Sequence, residues 1–204
     1  RLAPEDQATV RKLAGLDPHA LARNRATARP ATPRDSIALR IGKEKGWSVL
    51  EGARLIKSSG NDGDSFHVMH EDKEHVFRLY FVDTAETDTR FPERIREQAK
   101  YFELNDRDTL ALGKAASDFT KSVLANRPFT VVTRWQDARG STRLGRSYAM
   151  IVTDQGDLDE LLVSEGLARR YGMPVGSSAG RQKQSELKKL EEQARQSGAG
   201  AWGR

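Results

Sequence analysis

The sequence predicts an α+β protein built around a small β-barrel. Two observations predict this class. Short segments with alternating apolar residues follow one another closely between tight turns, and a helical apolar stripe separates the first three of these segments from the last two. The chain has 204 residues, of which 37% are hydrophobic and 31% charged. A hydrophobic core is therefore expected for roughly 150 residues rather than for the whole chain.

The first predicted region, residues 1–51, is basic. Residues 1–60 hold 12 Lys and Arg against 6 Asp and Glu, a net charge of +6, whereas the remainder has a net charge of −1. Residues 4–23 are predicted to form one or two short helices, and residues 23–46, rich in Arg, Ala, Thr and Pro, a linker or extended arm. Such a segment suits nucleic acid or an acidic membrane surface, and a solvated arm is an equal alternative.

The strands are predicted from apolar residues at a spacing of two. The first covers residues 53–58, and the turn at residues 59–64 follows because Asn, Asp and Gly tolerate positive φ angles. Phe66 and Val68 then alternate with polar residues, and residues 75–83 continue the pattern. Two further strands are predicted later in the chain, over 129–135 and 147–153.

Helices are predicted between and after these strands. Leu112, Ala116, Phe119 and Val123 recur at i, i+4, i+7 and i+11, which places them on one face of a helix. Three more helices are expected: one on the surface over 92–104, a short one capped by Asp157 and closed by Gly166, and an amphipathic one over 185–196.

Candidate metal ligands lie on two neighbouring predicted strands. Asp64 stands near the start of one strand and Asp83 at the end of the next, so a tight hairpin brings both carboxylates to one rim. Carboxylates without nearby His, in a chain without cysteine, suit Ca²⁺ or Mg²⁺ rather than zinc. The backbone carbonyl of Thr84 is a third candidate ligand.

The sequence contains no apolar run that approaches the roughly 18 residues of a membrane span.

Charged residues near these carboxylates complete a candidate phosphate site. Arg78 lies in mid-strand opposite a core face and needs an anionic partner, for which its planar guanidinium suits a phosphate. Glu86 is placed to orient or deprotonate a water, and Arg146 is a second candidate for phosphate contact. Each residue taken alone has an ordinary alternative, such as a turn cap, a cross-strand ion pair or a surface charge. Their occurrence together and in order favours a phosphodiester-cleaving site.

These motifs together resemble the staphylococcal nuclease (thermonuclease) family. The resemblance covers roughly residues 52–204 and implies a five-stranded OB-fold barrel with about three helices, preceded by the N-terminal segment 1–51. The family pattern is carried by five separated stretches: Asp62–Asp64, Arg78–Glu86, Gly113–Lys121, Gly145-Arg146 and Leu162–Ala168.

The resemblance also implies an activity, that of a Ca²⁺-dependent nuclease acting on DNA or RNA, and a secreted or periplasmic location. It assigns the roles residue by residue: Asp64, Asp83 and the carbonyl of Thr84 as Ca²⁺ ligands, Glu86 as the water-activating base, Arg78 and Arg146 as the arginines that hold the scissile phosphate, and Arg143, Arg169 and Tyr171 as further substrate contacts.

The sequence departs from the family pattern beside the active site. Ala85 stands where a proline is common, Leu144 replaces an aromatic residue, and the segment from Glu86 to Phe119 is longer. These departures concern the nucleotide-binding subsite and substrate preference rather than the phosphate chemistry. A non-catalytic OB-fold module, with the basic residues 1–60 supplying affinity for nucleic acid, is the alternative prediction. For such a module, Trp135 and Tyr171 are the obvious aromatic residues to stack on bases.

Overall fold

A closed barrel of five strands forms the centre of the protein, for which a computed structural model describes residues 36–139 and 145–203. The strands are, in chain order, β1 Ser48–Leu55, β2 Ser65–His70, β3 Lys73–Leu79, β4 Val82–Thr84, β5 Phe129–Asp137, β6 Ser147–Thr153, β7 Gly156–Asp157 and β8 Ala168–Arg170. The barrel consists of β1, β2, β3, β5 and β6, while β7 extends its sheet and β4 pairs with β8 apart from it.

The barrel closes through one parallel pairing. β1 pairs antiparallel with β2 and with β5, and β2–β3 and β5–β6 are also antiparallel. β3 and β6 then lie parallel, with Phe77 opposite Ser147 and Leu79 opposite Ala149. The α+β class and the OB-fold barrel predicted from the sequence are both confirmed.

Alternation along the strands creates the barrel core. Phe66 and Val68 of β2 and Phe77 and Leu79 of β3 are all buried, because the spacing of two directs them to the inner face. The apolar stripe of the predicted long helix is buried as well, and Phe119 belongs to this stripe. These residues join one continuous hydrophobic cluster.

Five α-helices surround the barrel in the described residues: α1 Ile37–Gly42, α2 Pro92–Phe102, α3 Asp106–Leu124, α4 Leu158–Ser164 and α5 Ser178–Ser197, followed by a 3₁₀ turn at Gly200–Trp202. The four helices expected over 92–104, 112–123, after Asp157 and over 185–196 are therefore present. None of the described helices combines the length and apolar character that a membrane span requires.

Helix α1 corrects one prediction, because residues 37–42 are a helix and not part of a linker or extended arm. The side chain of Ser36 caps this helix by accepting a hydrogen bond from the backbone N–H of Leu39 at 3.1 Å. Ile37 and Ile41 are buried in the central cluster. β1 also begins at Ser48 rather than at residue 53, and it thus crosses the predicted domain boundary at 51/52. The helices predicted over 4–23 lie outside the described residues.

A second correction concerns Asp157, which precedes α4 as predicted but does not cap it with its side chain. Its carboxylate accepts hydrogen bonds from Ser36 Oγ at 2.6 Å and from Lys183 Nζ at 2.7 Å. Lys183 of α5 also lies 3.0 Å from Asp159 and 2.7 Å from Glu160. Asp157, Asp159, Glu160 and Lys183 are named the Lys183 cluster below. The cluster links α1, α4 and α5.

Candidate active site

The candidate site lies where β2 begins and β4 ends. In the β2–β3 hairpin Ser65 pairs with Arg78, so Asp64 stands just beyond the paired residues. The backbone N–H of Thr84 donates to Asp64 Oδ2 at 3.0 Å, which fixes β4 beside the start of β2. Arg78 Nη2 lies 3.2 Å from Asp64 Oδ2 and 2.7 Å from Asp83 Oδ1. One guanidinium therefore joins the two carboxylates at one rim of the barrel.

The carboxylate of Asp83 is buried and accepts four hydrogen bonds. Arg78 and Arg94 donate to Oδ1 at 2.7 and 2.8 Å, and Arg169 Nε and Gln98 Nε2 donate to Oδ2 at 3.0 and 3.1 Å. A carboxylate offers about four lone-pair positions. The acceptor capacity of Asp83 is therefore used in full by the protein itself.

Two of these donors come from α2 and were missed by sequence reasoning. Arg94 and Gln98 stand four residues apart, so they share one face of the helix. Gln98 Nε2 also donates to the carbonyl of Thr84 at 3.0 Å, and Gln98 Oε1 accepts from the backbone N–H of Glu86 at 2.9 Å. The spacing of Arg94 and Gln98 was the available signal. It was not decisive because polar pairs four residues apart are common on exposed helices.

Glu86 lies just beyond β4 and is partly exposed. Its Oε1 accepts a hydrogen bond from Arg94 Nε at 2.5 Å, while the same guanidinium contacts Asp83 through Nη2. Arg94 thus bridges the predicted base and a predicted metal ligand. The site therefore contains a cation between Asp83 and Glu86 that belongs to the protein.

Arg146 approaches from the opposite side, from the residue before β6. Its Nη1 donates to Ser65 Oγ at 3.3 Å, and Ser65 Oγ in turn donates to Asp64 Oδ1 at 2.9 Å. The carbonyl of Arg139 accepts from Arg146 Nη2 at 2.7 Å and orients the guanidinium. Arg146 is therefore connected to the carboxylates through one hydroxyl group.

The three predicted substrate contacts have different positions. Arg169 in β8 is 2% exposed, and Asp83 and Glu97 hold its guanidinium, with Glu97 at 2.8 and 3.1 Å. In this arrangement the Arg169 guanidinium is engaged by Asp83 and Glu97, and its predicted contact with substrate stays a prediction. Tyr171 is exposed, and its ring lies 4.2 Å from the Arg169 guanidinium carbon. Arg143 lies outside the described residues.

A family model described as staphylococcal nuclease homologue matches residues 76–204, which is more than half of the chain. The chain belongs to the staphylococcal nuclease homologue family. The matched range includes Arg78, Asp83, Thr84, Glu86 and Arg146, whereas Asp64 lies before it. No curated protein matches the chain. Membership places the protein among nucleases and nucleic-acid-binding proteins with this barrel.

The electrostatics of this nuclease-like site differ between its two carboxylates. Burial alone would raise the pKa of Asp83, but the charges of Arg94, Arg169 and Arg78 outweigh it and lower the pKa below its usual value. On the other side, burial raises the pKa of Asp62 to about 7, and the charge of Asp64 adds to the shift. Positive charge is therefore concentrated around Asp83 and is scarcer at the Asp62–Asp64 turn.

The donor atoms of this nuclease-like site suit a hard cation. Asp64, Asp83, the Thr84 carbonyl and Glu86 offer oxygen only, which is the preference of Ca²⁺ and Mg²⁺. Among residues 36–139 and 145–203, no three or more His, Cys, Asp or Glu side chains form a group that could hold a metal ion as the side chains stand. The residue types fit Ca²⁺. A metal contact by Asp83 requires Arg78 or Arg94 to release Oδ1, since both donate to it.

Proposed function

We propose that this protein is a nuclease that hydrolyses phosphodiester bonds of DNA or RNA with the help of a bound Ca²⁺. The observation that carries the proposal is the convergence of Arg78 and Glu86 with the carboxylates of Asp64 and Asp83 at one rim of the barrel. At this partly exposed rim, the arginines attract a phosphate group, and a carboxylate can remove a proton from water. The family match supports a nucleic acid as the substrate.

The residues of the chain divide the work by their chemistry. Asp64, Asp83 and the Thr84 carbonyl would hold Ca²⁺, which when bound neutralises charge on the phosphate and lowers the barrier to attack. Arg78 and Arg146 donate N–H groups to the phosphate oxygens, because a guanidinium matches that geometry with two parallel bonds. These donors stabilise the additional negative charge that develops on the phosphate during attack.

Glu86 accepts the proton of the attacking water. Its carboxylate is partly exposed, so water reaches it, and its backbone is anchored to Gln98. The oxygen of the water bonds to phosphorus and one P–O ester bond breaks. The leaving oxygen takes a proton from solvent water and ends as a hydroxyl group, while Glu86 returns its proton to solvent. The net reaction adds one water across the ester and yields a phosphate monoester.

The first test is cleavage of plasmid and single-stranded DNA with Ca²⁺, with Mg²⁺ and with EDTA. We expect Ca²⁺-dependent cleavage by the wild type and a rate roughly 10²–10⁴-fold lower for Glu86→Gln, the usual effect of losing a general base. Binding of DNA should survive this substitution. Glu93→Gln is the matched control, since Glu93 is an exposed carboxylate on the neighbouring helix.

Several outcomes would contradict the proposal. Equal rates for Glu86→Gln and the wild type would contradict the role of Glu86 as the general base. Full activity in EDTA would contradict the requirement for a metal ion. Calorimetry should show weak Ca²⁺ binding, on the order of 10⁻⁴–10⁻³ M, because the protein supplies few ligands. Binding of nucleic acid without cleavage of DNA or RNA under any condition would favour the non-catalytic binding module.

A further inference from the structure

A groove of about 540 Å³ runs from β3 to the start of β6. Its walls include Arg146 together with Lys73, His75, Phe77 and Trp135. Because Arg146 also reaches Ser65 and through it Asp64, the groove and the candidate active site share this arginine. A polymer whose phosphate lies on Arg146 therefore has a path along this groove.

Trp135 stands out in the groove by its exposure and its backbone. Its side chain is 45% exposed, and its φ angle is 59°, a left-handed conformation that bulky residues rarely adopt. The pairing of β5 with β6 shifts register between Thr133 and Asp137, so Trp135 lies in an irregular, bulge-like part of β5. Bulges bend a strand and re-aim side chains, often beside active sites. This part of β5 turns the large ring out of the barrel wall.

The ring of Trp135 is held in place although it is exposed. Its Nε1–H donates to Ser48 Oγ at 3.1 Å, and its ring centroid lies 5.1 Å from His75 and 6.0 Å from buried Phe77. His75 and Phe77 stack on one another at 5.7 Å with an angle of 27° between the rings. A ring fixed on several sides loses little entropy when a ligand binds to it. The geometry therefore provides a rigid aromatic surface.

The polar groups of the groove suit a nucleotide better than an apolar peptide. Arg146 and Lys73 are its cations, and both can contact phosphates. Its anions are Glu74, which pairs with His67, and Asp137, which accepts the backbone N–H of Arg139. Bases and phosphates alternate along a single strand. The aromatic surface can contact a base while the neighbouring cations contact phosphates.

We propose that Trp135, supported by His75, stacks on one unpaired base of a nucleic-acid strand whose neighbouring phosphate lies on Arg146. This subsite rests on the proposed nuclease function and names the residue that would receive an unpaired base. Paired bases inside a duplex present only their edges, so they cannot stack on the ring.

The test is binding of a labelled single-stranded oligonucleotide in EDTA, followed by fluorescence anisotropy. Trp135→Ala should weaken binding roughly 5- to 150-fold, the range for one lost base–aromatic stack. Trp135→Phe should retain most of the affinity, since an aromatic ring remains. Met69→Ala is the control, because Met69 is an exposed apolar residue of β2 that does not line the groove.

An abasic site moved along the oligonucleotide gives a second readout that does not depend on the folding of a variant. In the wild type, one position of the abasic site should weaken binding most, and in Trp135→Ala this position effect should disappear. No position effect in the wild type, or the same effect in Trp135→Ala, would overturn the stacking subsite. If neither the wild type nor any variant bound the oligonucleotide, the proposed function itself would be overturned.

Discussion

Among the described residues, the candidate active site and the Lys183 cluster are both groups of buried charges, and they differ in composition and exposure. In the candidate active site, Arg78, Arg94 and Arg169 all contact Asp83, so cations exceed the carboxylate that they share. In the Lys183 cluster, one lysine faces three carboxylates. The first group opens to solvent at Arg94 and Glu86, whereas Lys183 is 0% exposed.

The difference teaches what each group is suited to do. Charges that are partly exposed and supplied in excess can exchange partners, which a site for phosphate and metal requires. A cluster whose single cation is fully buried cannot lose that cation without leaving the buried carboxylates of Asp157 and Asp159 uncompensated. The Lys183 cluster therefore stabilises the junction of α1, α4 and α5, and the active site keeps contacts that a substrate or metal can replace.

The strongest test of this contrast is Lys183→Met. The methionine fills the volume but leaves Asp157, Asp159 and Glu160 without their cation, and removal of one partner from a buried charge group costs about 3–5 kcal/mol. We expect this loss in the free energy of unfolding, measured by urea denaturation.

The control for this substitution is Lys188→Met on the same helix. Lys188 is 63% exposed and its partner Glu192 lies 3.8 Å away, so the change should be within about 0.5 kcal/mol of the wild type. Equal stability of the two variants would mean that the Lys183 cluster does not hold the helices together, and the contrast between the two regions would fail.

The Lys183 cluster is also expected to be sensitive to pH through Asp159. Lys183 Nζ lies 3.0 Å from Asp159 Oδ1, yet among the described residues neither Asp159 oxygen has a hydrogen bond of normal geometry. Burial raises the pKa of Asp159 to about 7; Lys183 opposes this shift, while Asp157 and Glu160 add to it. The folded protein therefore retains a proton here that the unfolded chain loses near pH 4.

The sign of the effect follows from this proton. The stability that Asp159 contributes is complete below about pH 4 and is lost as the pH rises through about 7. Asp159→Asn imitates the protonated form, so it should exceed the wild type by about 1–3 kcal/mol at pH 8 and by little at pH 5. Urea unfolding at both pH values measures this, with exposed Asp154→Asn as the control. A gain of equal size at the two pH values would contradict the assigned pKa.

Much of the barrel was predictable because its signals are local. Phe66, Val68, Phe77 and Leu79 alternate in short segments, and the turn before Ser65 is evident from its Asn, Asp and Gly residues. The proximity of Asp64 and Asp83 was predicted from a hairpin whose second strand runs to residue 83, whereas β3 ends at Leu79 and Asp83 lies in β4. The N–H of Thr84, which donates to Asp64, brings the two carboxylates together instead. Local patterns therefore located the barrel strands, but the contact between the two carboxylates depends on where β4 packs.

The parts that sequence reasoning missed depend on distant partners. Helix α1 has six residues, and its burial depends on the barrel rather than on its own pattern. Asp157 was correctly placed before a helix, but its side chain binds Ser36, 121 positions earlier, and Lys183, 26 positions later. Similarly, Arg94 looks like a surface residue until α2 is packed beside Asp83. Spacing along the chain does not encode such contacts.

Substitution of Arg94 gives the smallest expected effect. It is also the most direct test of whether carboxylates of the candidate active site can exchange an arginine for a metal ion. The Arg94 guanidinium contacts Asp83 Oδ1 and Glu86 Oε1. Under the proposed function, a cation of the protein would therefore compete with Ca²⁺ for these carboxylates. Arg94→Gln removes this competitor. Since the Arg94 side chain is 37% exposed, solvent screens the gain, and we expect Ca²⁺ to bind roughly five- to tenfold more tightly in calorimetry without substrate.

The matched control for Arg94 is Arg96→Gln, which removes the same charge from the same helix. Arg96 is 60% exposed and pairs with Glu93 rather than with the site, so its loss should change Ca²⁺ affinity less than twofold. If both variants bound Ca²⁺ more tightly to the same extent, long-range charge and not competition would explain the gain. Weaker binding by Arg94→Gln alone would show that Arg94 holds Asp83 and Glu86 in position for the metal. The active site would then resemble the Lys183 cluster, in which a buried cation fixes its carboxylates and does not exchange.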